Sequence, residues 1–187
     1  AWQDECRPSG LCQPGLPSSF ASERVGLVTA QAAATQLWIV RDSGTFDPAL
    51  AARYASMLSA AEYQRWQRFV FARDRDRFLL ARALVRSVLG QYLHVPPASL
   101  VFSANRWGKP ELDPAAHPGH CLQFNLSHTT GLAVLAVSQG VALGVDVEDV
   151  RREVEMLALA RRYFAVQEVE ELQSLPEAQQ RERFFAL

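Results

Sequence analysis

The stretch LQFNLSHTTGLAVLAVSQGVALGVDVE, residues 122–148, decides how the rest of the chain is read. Residues 122–126 and 132–137 are short, largely apolar runs of strand length, and 141–147 is a third. Ser138-Gln139-Gly140 is a turn sequence, so 132–137 and 141–147 are expected to form a hairpin. Within the last run, Asp146 and Glu148 are two residues apart. Side chains of a strand alternate between faces, which sends both carboxylates one way and Val145 and Val147 the other.

Working upstream, the period changes at Pro96-Pro97. Residues 100–103 read as a further strand, separated from 122–126 by a loop carrying Trp107-Gly108-Lys109-Pro110. Before Pro96 the pattern is helical. Asp74 opens a long helix whose apolar face holds Phe78, Leu79, Ala81, Leu84, Val85, Val88 and Leu89, and Gly90 is expected to loosen or end it. Ser59 with Glu62 three positions on forms a capping box, followed by Tyr63, Trp66 and Phe69. Asp47-Pro48 opens another helix, running to about Leu58, and residues 37–40 read as a short buried strand. Residues 1–35, rich in Pro, Gly, Ser and Ala, show neither periodicity and read as a flexible extension. Downstream, helical periodicity returns from Glu153. Strands and helices mix without βαβ alternation, which gives an α+β fold.

One weak repeat links the two ends. Residues 58–62 resemble 164–168, and Arg77-Phe78 falls on Arg183-Phe184 at the same offset of 106. A duplication would make the chain one half, 36–138, and the start of a second, 139–187.

Composition narrows the function classes. With 187 residues, 49% hydrophobic, 21% charged and a net charge of -1, the chain has no electrostatic footprint for nucleic acid. The apolar run at 132–137 is far too short to span a bilayer. Three scattered cysteines, Cys6, Cys12 and Cys121, suggest neither a disulfide framework nor a zinc site, even with His117 and His120 beside Cys121. No signal-peptide pattern is present, so a reducing cytoplasm is the expected setting.

The chemistry-bearing residues fall in three places. Asp146 and Glu148, roughly 6–7 Å apart along a strand, suit a hard divalent cation such as Mg2+, although a solvated strand face produces the same spacing. Ser127 and His128, in Phe124-Asn125-Leu126-Ser127-His128-Thr129, can offer a hydroxyl and an imidazole to a phosphate or simply close a strand with a polar turn. Adjacent side chains do not make a serine nucleophile and its base, and no G-x-S-x-G elbow is present. Lys109, between Gly108 and Pro110, can be presented to an anion or sit as an ordinary turn lysine. Of the basic run Arg65, Arg68, Arg73, Arg75, Arg77 and Arg82, most solvate a helix face, while one or two can grip a phosphate.

Trp107-Gly108-Lys109-Pro110, Phe124 to His128 and Gly144-Val145-Asp146-Val147-Glu148, in that order and at those intervals, resemble the 4'-phosphopantetheinyl transferases of the Sfp type. Residues 69–74 and 164–168 look like further family segments. The resemblance implies two similar halves related by a pseudo-twofold, with coenzyme A between them and a monomeric state. It implies Asp146 and Glu148 holding Mg2+, with His128 joining them as catalytic. Arg65, Lys109, Ser127 and His128 would contact the nucleotide phosphates, including the 3'-phosphate, with Arg77 and Arg82 weaker candidates for the same role. The reaction implied is transfer of the 4'-phosphopantetheine arm to a serine of an acyl or peptidyl carrier protein, releasing 3',5'-ADP.

Two departures stand out. The family's W-x-x-K-E motif, which supplies a third acidic ligand and a candidate general base, is expected directly after Leu187 and is not in the sequence. Glu62 occupies a position that is often basic, leaving more of the phosphate contact to Arg65. A non-catalytic coenzyme A or carrier-binding module and a Mg2+-dependent phosphohydrolase are the competing expectations.

Overall fold

The computed structural model describes residues 27–32, 35–41 and 46–187, with side chains described from residue 35 onward. Most of the stretch read as an extension therefore lies outside the described residues. The chain divides into two compact units, Ala1–Val147 and Glu148–Leu187.

The first unit is built on a four-stranded antiparallel sheet in the order β1 (Leu27–Ala32), β2 (Thr35–Arg41), β6 (Leu132–Gln139), β5 (Leu122–Thr129). Its helices are α1 (Pro48–Ala55), α2 (Ala60–Gln67) and α3 (Ala72–Leu93), and a small ribbon pairs β3 (Phe102–Ala104) with β4 (Pro110–Leu112). Helices on one face of an antiparallel sheet make this an α+β architecture. Strand β1 was not foreseen. Val28, Ala30 and Ala32 alternate with Thr29 and Gln31, too short a run to stand out, and the strand pairs along its full length with β2, from Leu27 opposite Val40 to Ala32 opposite Thr35.

Local chemistry sets the helix starts. Asp47 Oδ1 accepts the Leu50 amide at 2.9 Å ahead of Pro48, and Glu62 Oε2 accepts the Ser59 amide at 2.9 Å while Ser59 Oγ accepts that of Glu62. The core forms where Trp38 and Val40 of β2, Leu135 and Val137 of β6 and Phe124 of β5 meet Leu80, Leu84 and Val88 of α3. Helix α3 is buried almost all round from Leu79 to Gly90. One buried side chain there is charged: Arg86 donates Nε to Glu62 Oε2 at 2.7 Å and Nη1 to the carbonyls of Pro97 and Leu100 at 2.9 and 3.0 Å.

Gly90 does not end α3. The helix runs to Leu93 and closes in a Schellman pattern, with Val95 N–H on Gly90 O, His94 N–H on Gln91 O, and His94 in the left-handed region at φ 54°. A Cβ on Gly90 would lie 2.8 Å from the Val95 carbonyl. The glycine is there because the chain leaving the helix folds back across it.

The hairpin expectation is overturned. Strand β6 is bonded to β2 on one edge and to β5 on the other, so no edge is left for 141–147. The turn that joins the hairpin is Thr130-Gly131, and 141–147 has no backbone ladder.

The second unit contains α4 (Met156–Tyr163), α5 (Val166–Ser174) and α6 (Glu177–Ala186). Ala160 and Leu172 are buried, and Phe164 stacks on Phe184 with centroids 5.3 Å apart. Arg183 forks onto Glu171 at 2.8 and 2.9 Å. Helix α5 starts 106 residues after α2, and each start is preceded by an amide that donates to a glutamate three residues on: Ser59 to Glu62, and Ala165 to Glu168 at 2.8 Å.

Candidate functional site

Strand β5 separates its side chains by face. Leu122, Phe124 and Leu126 enter the core, while Asn125 and Ser127 emerge half-buried on the other side. Residues 143–147 are held on that side by side-chain oxygens in place of a ladder. Asn125 Oδ1 accepts the Val145 amide at 2.7 Å, and Ser127 Oγ accepts the Val147 amide at 3.1 Å. The Ser127 hydroxyl in turn donates to Asp146 Oδ1 at 2.8 Å. Although 141–147 is not a strand, its exposure alternates: Val145 and Val147 are half-buried, Gly144 and Asp146 exposed.

Glu148 is also exposed, but it opens the second unit, so the two carboxylates belong one to each unit. Its Oε2 lies 3.6 Å from Arg152 Nη1, an exposed pair of little energetic weight. Among the described residues, no group of three or more His, Cys, Asp or Glu side chains converges as a metal cage. Carboxylate oxygens nevertheless fit Mg2+, which is often held by one or two of them and completes its shell with water and phosphate oxygens.

Lys109 is placed by the loop before β4. Asn105 Oδ1 accepts the amides of Trp107 and Lys109 at 2.9 and 3.0 Å, and Gly108 takes the positive φ of 79° that this turn requires. Lys109 Nζ then donates to Leu143 O at 2.9 Å. Its ammonium thus braces the approach to Asp146, with two of its three donors beyond that bond.

The arginines divide. Arg77 and Arg73, on the first turns of α3, both donate to Thr130 Oγ1 in the β5–β6 turn, at 3.4 and 2.7 Å. Thr130 is two residues in sequence from His128, which is exposed at the end of β5. Arg65 and Arg82 instead lie over the Phe78 ring, 5.4 and 5.5 Å from its centroid. Burial pulls the Arg82 guanidinium below its ordinary pKa, and Glu62 opposes that shift. Glu62, the departure noted in sequence, is consumed by Arg86 and the α2 cap.

Sequence reading missed Asn125 and did not single out Arg73. No local signal marks either, since their partners are 20 and 57 residues away. The histidine and cysteine group also resolves otherwise than expected. His117 Nε2 accepts the Val101 amide at 2.9 Å, and Cys121 is disulfide-bonded. Burial, and secondarily the neighbouring His117, lower the His120 pKa.

Comparison with known proteins adds an independent line. The family model described as 4'-phosphopantetheinyl transferase, N-terminal, matches residues 48–140. The chain is similar to the 4'-phosphopantetheinyl transferase HetI of Nostoc sp., with 42% identity over 132 residues, covering 70% of this chain and 55% of the relative. It is 33% identical to the 4'-phosphopantetheinyl transferase ffp of Bacillus subtilis over 137 residues, or 72% and 57% of the two chains. The corresponding figures for the 4'-phosphopantetheinyl transferase gsp of Aneurinibacillus migulanus are 32% over 133 residues, 71% and 52%. The chain spans about half the length of these relatives. The matched stretch contains β5 with its Asn125-Leu126-Ser127-His128 sequence and the Trp107-Gly108-Lys109-Pro110 loop, and on these grounds the chain belongs to the 4'-phosphopantetheinyl transferases of the Sfp type.

Proposed function

We propose that the protein containing this chain transfers the 4'-phosphopantetheine arm of coenzyme A to a serine hydroxyl of an acyl or peptidyl carrier protein. The observation that carries this reading is the Ser127–Asp146 hydrogen bond, which ties the acidic segment to the Ser-His end of β5. In the reaction, the serine oxygen bonds to the β-phosphorus of coenzyme A and loses its proton. The bond from that phosphorus to the bridging oxygen breaks, and 3',5'-ADP leaves with the electron pair.

Asp146 and Glu148 would hold Mg2+, which when bound neutralises charge on the pyrophosphate. His128, with Arg77 and Arg73, which bond Thr130 in the β5–β6 turn, would supply cationic and hydrogen-bonding groups for nucleotide phosphates. Arg65 and Lys109 join them, Lys109 through its remaining donors. Ser127 belongs to this set through its contact with Asp146, to which its proton is committed. The two-halves organisation, with the division placed after residue 138, a monomeric state and a cytoplasmic setting are part of the same proposal, as is a carrier partner without nucleic acid or membrane. Among the described residues, no helix is long and apolar enough to cross a membrane.

Incubating the intact protein with coenzyme A, Mg2+ and an apo carrier protein, then weighing the carrier, tests the reading. One phosphopantetheine added per carrier, lost on chelation, is expected. No adduct across several carriers, with coenzyme A still bound, would favour the binding module. Hydrolysis of coenzyme A without any carrier would favour the phosphohydrolase.

A further inference from the structure

We propose that Asn125 is a positioning residue for Asp146, fixing by hydrogen-bond acceptance the register in which the acidic segment lies on β5. The argument rests on the metal role proposed for Asp146, but its structural part stands on geometry. Two residues on one face of β5, Asn125 and Ser127, accept the amides of Val145 and Val147. Both links have the same offset of 20 residues, so the segment runs parallel to β5, and two rungs define one alignment.

That alignment decides which side chain is presented. A slip of one residue exchanges the two sides of an extended segment. It would turn Asp146 toward the half-buried side now taken by Val145 and Val147, and Ser127 would lose its carboxylate partner. Ser127, on Val147 and Asp146, and Lys109, on the Leu143 carbonyl, hold the two ends of the segment, and Asn125 fixes the amide between them. Asn125 acts on Asp146 through the backbone, by accepting the amide of its neighbour Val145. What position 125 needs is an acceptor on a short stem. The amide nitrogen of Asn125 is not required, so aspartate should replace it and leucine, of similar size, should not.

The test uses the intact protein with Asn125→Leu, Asn125→Ala and Asn125→Asp. Hydrogen exchange by mass spectrometry on peptides covering residues 143–148 reads the register directly. Mn2+ binding by electron paramagnetic resonance reads the site. Leu and Ala are expected to speed exchange of the Val145 and Val147 amides about tenfold and to weaken Mn2+ binding about tenfold, the range for residues that orient a metal ligand. Asp should keep exchange near wild type. Unchanged exchange in Asn125→Leu and Asn125→Ala, or exchange in Asn125→Asp as fast as in Asn125→Leu, would overturn the proposal. So would faster exchange with unchanged Mn2+ affinity. Wild-type protein that takes up no Mn2+ would instead defeat the metal reading of Asp146, a failure distinguishable from the others.

Discussion

Ser127 and Asp146 are bonded side chain to side chain at 2.8 Å, and the same serine oxygen accepts the amide of the residue after the aspartate at 3.1 Å. One hydroxyl therefore holds both the carboxylate and its backbone. The serine of one sequence motif and the aspartate of another, 19 residues on, become in space a single hydrogen-bonded unit.

Replacing Ser127 with Ala removes both bonds. Transfer activity of the intact protein is expected to fall roughly 10- to 100-fold, with a stability cost of about 1 kcal/mol. Ser127→Thr should recover most of the rate. Carrier modification rates and urea midpoints check both, and an alanine variant with wild-type turnover would contradict the arrangement.

Asp146→Asn keeps an oxygen for Ser127 and removes the charge. The thermal midpoint should stay within a few degrees while Mn2+ binding and transfer are lost. Parallel thermal denaturation and metal titration measure this. Retained metal binding would exclude Asp146 as a ligand.

Arg86 carries a different load. Its guanidinium is buried, paired with Glu62 and bonded to two carbonyls. Truncating one partner of such a pair leaves a buried charge or orphaned acceptors, and Arg86→Ala is expected to cost about 3–5 kcal/mol by chemical denaturation. A loss below 1 kcal/mol would show that solvent reaches this group.

Gly90→Ala tests whether packing overrides helix propensity. Alanine favours a helix over glycine by about 1 kcal/mol, but here its Cβ meets the Val95 carbonyl. The variant should be less stable by about 1–3 kcal/mol. Stabilisation would mean that the turn after α3 yields easily.

Burial pushes the Tyr54 phenol up to about 12, with Arg53 opposing. The folded state thus keeps its proton above the ordinary pKa of 10, whereas the unfolded chain releases it there. The stability from the neutral phenol is present below pH 10 and is lost as pH rises through 10 toward 12. Tyr54→Phe should flatten this alkaline loss, read from urea midpoints between pH 8 and about 11.5. An unchanged alkaline slope would place its origin elsewhere.

What the sequence determined by itself is local. The caps at Asp47 and Ser59, the apolar face of α3, the runs that become β5 and β6, and the α+β mixture follow from near neighbours and side-chain periods. The alternation around Asp146 was legible for the same reason, since any extended segment alternates, ladder or not. The tertiary structure decided whatever depends on distant partners. Strand β6 has β2 on one edge and β5 on the other, so 141–147 finds no edge and is held by side chains of β5 instead. Strand β1 forms only because β2 offers an edge. Gly90 sits inside a helix because the returning chain needs its space. Asn125 reads as one polar residue in a strand until Val145, 20 residues on, brings its amide to it. Hydrogen bonds between residues so far apart leave no period in the sequence, because only the fold closes the distance between them.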